Sequence, residues 1–254
     1  MSKHQIGYTV FGGFTLIYVY GYIVNGWSLL YYISFFVLWF LLILYGSFFI
    51  QTNYHLKAIS SVKTTKKLVA ITFDDGPTEF TDKILDLLRK DNHKATFFCV
   101  GNRIEVKPAL AKRIVEEEHL IGNHTYSHSK NIGFKNTKGL IEELNHTDQL
   151  IKKYTGNFPK YFRPPFGVTN PNTMRAIRKT KHIVVGWSIR SLDTVLENED
   201  KIFLRIKRQV KPGSIILLHD TSEKSILVLE RLLIYLNENN YRSITVDELI
   251  KLKS

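Results

Sequence analysis

The sequence predicts an α/β domain built on parallel strands, set behind an apolar N-terminal stretch, and three observations carry that prediction. From residue 68 onward, short apolar runs alternate with amphipathic helical stretches seven times, the pattern of parallel βα units in an open doubly wound sheet or a barrel. The polar residues best suited to chemistry fall at the carboxyl ends of the expected strands, where such folds gather their sites. From Gln5 to Leu56 there is no Asp, Glu, Lys or Arg, which divides the front of the chain from the charged remainder.

The front holds two apolar runs, residues 6–24 and 29–50, separated by Asn25, Gly26, Trp27 and Ser28. At about 1.5 Å per residue the second run forms a helix of about 33 Å, enough to cross a bilayer. The first is weaker, with Gly7, Gly12, Gly13 and Gly21 among several Tyr, and reads as a second span, a signal-like segment or an interfacial stretch. No small-residue cleavage site follows either run, so residues 1–50 are expected to remain as a membrane anchor of one or two helices. Two spans would turn at Asn25-Gly26 and leave both termini on one side. The lysines at 3, 57, 63, 66 and 67 lean, by the positive-inside rule, towards a cytoplasmic C-terminal side. Residues 51–66 are polar and read as a tether to a domain over 67–254.

After residue 55 the chain carries 34 Lys and Arg against 23 Asp and Glu, a net of +11. Such a balance favours an acidic neighbour, and an anionic cell-wall polymer or lipid is the partner it admits. No basic helix, zinc-finger spacing or aromatic RNA-binding signature points to nucleic acid. Cys99 is the only cysteine, which excludes an intrachain disulfide, and its apolar setting (residues 95–100) marks a core residue.

The first expected strand, residues 68–73, stops at Asp74, Asp75, Gly76 and Pro77. Side chains alternate in direction at a strand end, so one carboxylate can bind a cation while its neighbour works as a base. A helix over 81–90 presents Ile84, Leu85, Leu87 and Leu88 on one side. There follow a strand at 95–100, a helix at 107–118, and a short strand at 119–122 leading into His124. A helix at 136–154 precedes an extended segment at 161–167 with two prolines, a helix at 172–179 and a strand at 182–187. The chain closes with a helix at 201–210, a strand at 214–218, a helix at 225–237, and a last strand and helix at 243–245 and 246–252. On this map Asp74 and Asp75 end the first strand, His124 and His128 follow the third, and Arg163 belongs to the fourth. Asp193 follows the fifth, and His219 and Asp220 end the sixth. Their agreement on one strand end is the strongest sequence argument for a single site.

His124 and His128 stand four apart, which one helical turn would bring to the same face. With a carboxylate such as Asp75 they form a common ligand set for zinc, leaving an open position for water.

Four segments, Thr72-Phe73-Asp74-Asp75-Gly76, His124-Thr125-Tyr126-Ser127-His128, Arg163-Pro164-Pro165-Phe166-Gly167 and Leu217-Leu218-His219-Asp220, together resemble the ordered motifs of the polysaccharide deacetylase family. This is the group sharing the NodB homology domain, carbohydrate esterase family 4, and the resemblance covers residues 67–254. It implies a distorted barrel of seven strands and helices. It also implies hydrolysis of acetyl groups from N-acetylglucosamine units in peptidoglycan or a related cell-surface glycan, with a divalent metal, zinc or cobalt. By resemblance Asp74 is the general base acting on water at the metal, and Asp75, His124 and His128 hold that metal. Arg163 orients Asp74, the Phe166 N–H helps hold the oxyanion, Leu217 lines the acetyl pocket, and His219, aided by Asp193, is the acid. A glycan substrate places the domain outside the cell membrane, against the lean of the lysines. O-acetyl ester hydrolysis on the same fold, or a glycan-binding protein with a decayed site, are the alternatives. The chain departs from the family at Arg190 and Thr194, which stand where an Asp and a Trp are usual. That departure bears on the substrate groove more than on the chemistry.

Overall fold

The computed structural model describes residues 3–252. At the front, α1 (Lys3–Asn25) and α2 (Leu29–Phe48) form an antiparallel hairpin. Phe11 stacks on Trp39, Phe14 on Phe35, and Tyr18 meets Tyr32, so the pairing runs the whole length of the two helices. Gly26 turns the chain at φ 64°, and Ser28 caps α2 by accepting the Leu30 N–H. Both helices are long and apolar enough to cross a membrane, and their outward faces are exposed Leu, Ile, Val and aromatic side chains.

The remainder is one nine-stranded sheet with helices outside it. In chain order the elements are β1 (Ala58–Ile59), β2 (Leu68–Asp74), α3 (Thr81–Lys90), β3 (Ala95–Cys99), α4 (Gly101–Val106), α5 (Pro108–Glu116), β4 (Leu120–Asn123) and α6 (Thr137–Thr155). They continue with β5 (Tyr161–Phe162), α7 (Pro171–Thr180), β6 (Ile183–Val185), β7 (Ile189–Arg190), α8 (Glu199–Lys207), β8 (Ile215–His219), α9 (Glu223–Glu238), β9 (Arg242–Ser243) and α10 (Val246–Lys251). Every strand pairing is parallel, in the order β1-β6-β5-β4-β3-β2-β8-β7, with β9 against β2. The sheet curls into the distorted barrel expected from the motifs.

Alternation along the strands decides what faces inward. In β2, Val69, Ile71 and Phe73 pack against the surrounding helices with Ile216 and Leu218 of β8. The intervening Ala70, Thr72 and Asp74, like Ile215, Leu217 and His219, point the other way, into the barrel. Asp74 and His219 are therefore register partners at the last rung of adjacent strands.

All seven expected strands are present, and three expectations need correction. Residues 51–66 are not a free tether: Ala58 and Val62 are buried, and β1 adds to the sheet beside β6. This segment also bridges towards β8, with Val62 N–H on Gly213 O at 2.9 Å and an antiparallel bridge from Ser61 to Ser214. It thus fills the gap between the two ends of the curled sheet. The helix expected over 107–118 is α5, ending at Glu116, and a short helix that was not expected, α4, comes just before it; Pro108 forces Lys107 between them out of helical geometry and starts α5. The strand expected over 161–167 stops at Phe162, since the prolines that follow cannot donate to a ladder.

Candidate active site

Among the described residues Arg163 is the largest fully buried side chain, and each of its guanidinium nitrogens is hydrogen-bonded. Its Nη1 donates to Asp74 Oδ1 at 2.7 Å and to Thr72 Oγ1 at 2.8 Å; Nε reaches Val185 O at 3.2 Å and Nη2 reaches Gly186 O at 2.9 Å. Its guanidinium lies 4.2 Å from the Phe98 ring centre. Phe98 and the main-chain carbonyls make a cage for a cation, and Asp74, itself buried, supplies the balancing charge.

Asp75, one residue on, turns away with φ 76°. Its Oδ1 is buried and accepts no aligned hydrogen bond, although His124 Nε2 lies at 3.5 Å and His128 Nε2 at 3.1 Å. His124 Nδ1 sits 2.7 Å from Arg163 O; the carbonyl can only accept, so Nδ1 carries the hydrogen and Nε2 is the nitrogen whose lone pair a neutral ring turns towards Asp75. Burial first, and then the neighbouring His124, lower the His128 pKa to about 4, which favours its neutral ring as well. Burial alone would raise the Asp75 carboxyl, but the facing histidines, His124 first and then His128 and His219, outweigh it and hold the group below the usual carboxylate range. A carboxylate oxygen and imidazole lone pairs facing one another within 4.8 Å repel unless a cation lies between them, so this donor set fits a divalent metal.

The two histidines do not meet through a helical turn. Residues 124–128 are irregular, with Thr125 at φ 65° and His128 at φ 45°. A carboxylate outside the predicted set fixes this loop: buried Glu143 of α6 accepts from the N–H groups of Tyr126 and Ser127, from Ser127 Oγ, and from Lys135 Nζ at 2.6 Å. Only its position, on a helix following the motif, could have signalled it. Asp75, Thr125, His128, Phe166 and Leu192 all have positive φ and all lie in or beside the site, a concentration of backbone strain typical of functional positions.

His219 faces this group from β8. Its Nδ1 lies 2.8 Å from Asp193 Oδ1, and Asp193 is further held by Ser191 Oγ at 2.7 Å and Ser225 Oγ at 3.1 Å. Burial works to lower the His219 pKa, but the Asp193 hydrogen bond and charge, with Asp74 and Asp75, prevail and lift it to about 9. The imidazolium is thereby favoured at neutral pH.

Asp74, Asp75, His124, His128 and His219 surround a cavity of about 210 Å³, with Phe166, Gly167, Trp187 and Leu217 as apolar wall. Arg190 and Thr194 also border it, so the two family departures lie at the cavity edge. Arg163 and Asp193 stand behind: Arg163 touches Asp74 and His124, and Asp193 touches His219. All nine residues expected at the site are brought together. Trp187 was not singled out as a site residue. Asp220, noted beside His219, faces away from the cavity: its carboxyl bonds Thr81 and packs so tightly on Gly76 that a Cβ there would meet Asp220 Oδ2.

Two carboxylates and three histidines around a small cavity, on the carboxyl rim of a parallel barrel, are equipment for hydrolysis through activated water. A family profile described as polysaccharide deacetylase matches residues 61–185. A peptidoglycan-N-acetylglucosamine deacetylase of Bacillus cereus is 36% identical over 191 residues, 73% of this chain and 69% of that protein. PdaC of Bacillus subtilis, named a peptidoglycan-N-acetylmuramic acid deacetylase, is 32% identical over 76% of this chain and 41% of its own length. Among solved structures, a peptidoglycan N-acetylglucosamine deacetylase in complex with a naphthalenyl N-hydroxybenzamide superposes with TM-score 0.72 at 34% identity, covering 76% of this chain and 92% of that one. A CE4 family pseudoenzyme from Bacillus anthracis superposes with TM-score 0.70 at 26% identity, covering 76% and 68%. The chain belongs to the polysaccharide deacetylase family and is a hydrolase of that class.

Proposed function

We propose that the chain removes the acetyl group from N-acetylglucosamine units of peptidoglycan or a related cell-surface glycan, on the outer side of a membrane that α1 and α2 span. The observation that carries this reading is that Asp74 and His219, neighbours at the ends of adjacent strands, line one cavity with the Asp75, His124 and His128 donor set. Amide hydrolysis needs a base for water, a donor for the oxygen that gains charge, and an acid for the departing nitrogen.

Asp74, held by Arg163, takes a proton from water as its oxygen bonds to the acetyl carbon. Asp75 Oδ1, His124 Nε2 and His128 Nε2 would hold a divalent cation, zinc or cobalt, which supplies Lewis acidity to the acetyl carbonyl and to water. The Phe166 N–H is the assigned donor to the carbonyl oxygen as it becomes negative. As the carbon–nitrogen bond breaks, His219 gives its proton to nitrogen, and the products are acetate and the free amine. Leu217 and Trp187 offer the acetyl methyl an apolar seat. Lys3 Nζ bonds Thr52 O at 2.7 Å, which supports an anchor with the N-terminus and the domain on one side.

The test is acetate release by the full-length chain in detergent from a panel of N- and O-acetylated glycans. Dialysis against a chelator should abolish release, and zinc or cobalt should restore it; full activity of metal-free protein overturns the mechanism. Acetate from O-acetyl glycans alone would make it an esterase. External protease on intact cells should digest the domain; protection alongside a cytoplasmic control would contradict the placement.

A further inference from the structure

The helical hairpin does not hang from the domain; it is docked on the same rim that carries the site. Ser47, in the last turn of α2, accepts the Thr169 N–H at 2.9 Å, and Thr169 lies two residues beyond Gly167 of the cavity wall. Gln51 Nε2 donates to the carbonyl of Trp187, another wall residue, at 3.2 Å. The side chain of Ile50 is buried against Gly186 and packs in the barrel interior with Trp187 and Leu217. On the first helix, the His4 N–H bonds Tyr54 O at 3.1 Å. The end of α2 is therefore seated on the loop that follows β5, and Ile50 and Gln51 just past it on the loop that follows β6, both at carboxyl ends of strands, while α1 is held by the segment that leads into β1.

The distances decide what the site can reach. Gln51 is three residues past the end of α2, a span of about 10 Å even if fully extended. A free tether over 51–66 would have allowed about 50 Å. Beside the docked end, Asn170 Nδ2 bonds Gly133 O at 2.6 Å, and the next residue, Phe134, is 89% exposed. Phe166, at the cavity mouth against His128, is 50% exposed. Two exposed aromatic rings on the rim that receives the apolar helices suit the interface of a bilayer, where such rings gather.

We infer that the substrate is an acetylated amino-sugar glycan still attached to a membrane lipid, presented at the bilayer surface, rather than cross-linked wall at a distance from it. This rests on the deacetylase and membrane-anchor reading above. A rim fixed within about 10 Å of the bilayer admits a sugar chain rising from a lipid headgroup. It excludes an insoluble mesh that cannot lie against the membrane.

The full-length chain is reconstituted in phospholipid vesicles and given, in parallel, a lipid-attached N-acetylglucosamine oligosaccharide in the same vesicles, insoluble peptidoglycan sacculi, and the soluble N-acetylglucosamine trimer. Acetate should appear at least tenfold faster from the lipid-attached sugar than from sacculi. A second form carries a Gly/Ser linker of about 20 residues between Phe48 and Phe49, with a mean reach of about 25 Å. Its rate on sacculi should rise at least tenfold while its turnover of the trimer stays level. Equal rates of the native chain on lipid-attached sugar and sacculi overturn the inference, as does a linker that restores nothing. If the linker form fails on the trimer, the native ratio alone decides. No acetate from any of the three substrates by the native chain strikes the deacetylase reading itself, and this inference falls with it.

Discussion

Asp193 grips His219 twice: Oδ1 meets the ring Nδ1 at 2.8 Å, and Oδ2 accepts the main-chain N–H of the same residue at 2.8 Å. One buried carboxylate thus fixes both the imidazole and the strand end that carries it. A negative neighbour favours imidazolium, which is why the ring is lifted to about 9 despite burial. Loss of that charge must lower the ring pKa, so the acid form runs out at lower pH. In Asp193→Asn the alkaline limb of kcat/KM should move down by about one to two pH units, with the acid limb in place. A pH–rate profile decides it, and an alkaline limb that stays or rises contradicts the pairing.

Arg163→Gln removes the guanidinium that balances buried Asp74 and empties a cage of four acceptors. Leaving a buried charge without its partner costs about 3–5 kcal/mol. Urea unfolding should register a loss of that order together with a fall in kcat. A change under about 1 kcal/mol would mean that Asp74 finds other support.

Metal binding and proton transfer should separate by mutation. Asp74→Asn is expected to keep stoichiometric divalent metal while kcat drops by about a hundredfold or more, as for removal of a general base. His128→Ala should lose the metal itself. Elemental analysis of the two purified variants distinguishes the roles, and metal loss in Asp74→Asn would make that carboxylate a ligand.

Arg190 is exposed at the cavity edge, its own carbonyl bonded by Arg205 Nε at 2.8 Å. Reversing its charge in Arg190→Asp should shift preference among glycans of different charge, severalfold in KM, with kcat on the neutral trimer unchanged. A uniform fall in kcat on every substrate, with folding intact, would instead assign Arg190 to the chemistry.

A chain beginning at Lys67 lacks Ile50 and Val62, both buried, and leaves one edge of β6 without β1. At about 1.5–3 kcal/mol for each large apolar side chain, it should be about 3–6 kcal/mol less stable than a chain beginning at Phe49. Urea midpoints of the two compare directly; equal midpoints would return residues 51–66 to the status of a tether.

That segment marks where the sequence ceased to be readable. The long strands announced themselves through apolar runs ending in carboxylate or histidine, and all nine site residues fell on one rim because parallel strands share an end. β1 and β7 have two residues each, too few to show any period, and β1 is recognised only through its partner β6. The His124 to His128 spacing suggested a helix because four residues make a turn. In the fold, left-handed residues and the Glu143 carboxylate do that work, and neither Thr125 nor His128 advertises positive φ by its type. Arg163 was legible as a partner of Asp74, but the carbonyl cage around it was not, since main-chain acceptors leave no trace in residue identity.

Arg163 also serves through its backbone: its side chain holds Asp74 while its carbonyl orients His124, whose Nε2 stands 3.8 Å from Asp74 Oδ2. Base and ligand are thus gauged from a single residue rather than from two strands that could drift apart. If the barrel flexes, or β1 loosens with the helices it follows, that spacing travels with Arg163 as a unit. The sheet can change curvature without detuning the distance on which proton transfer depends.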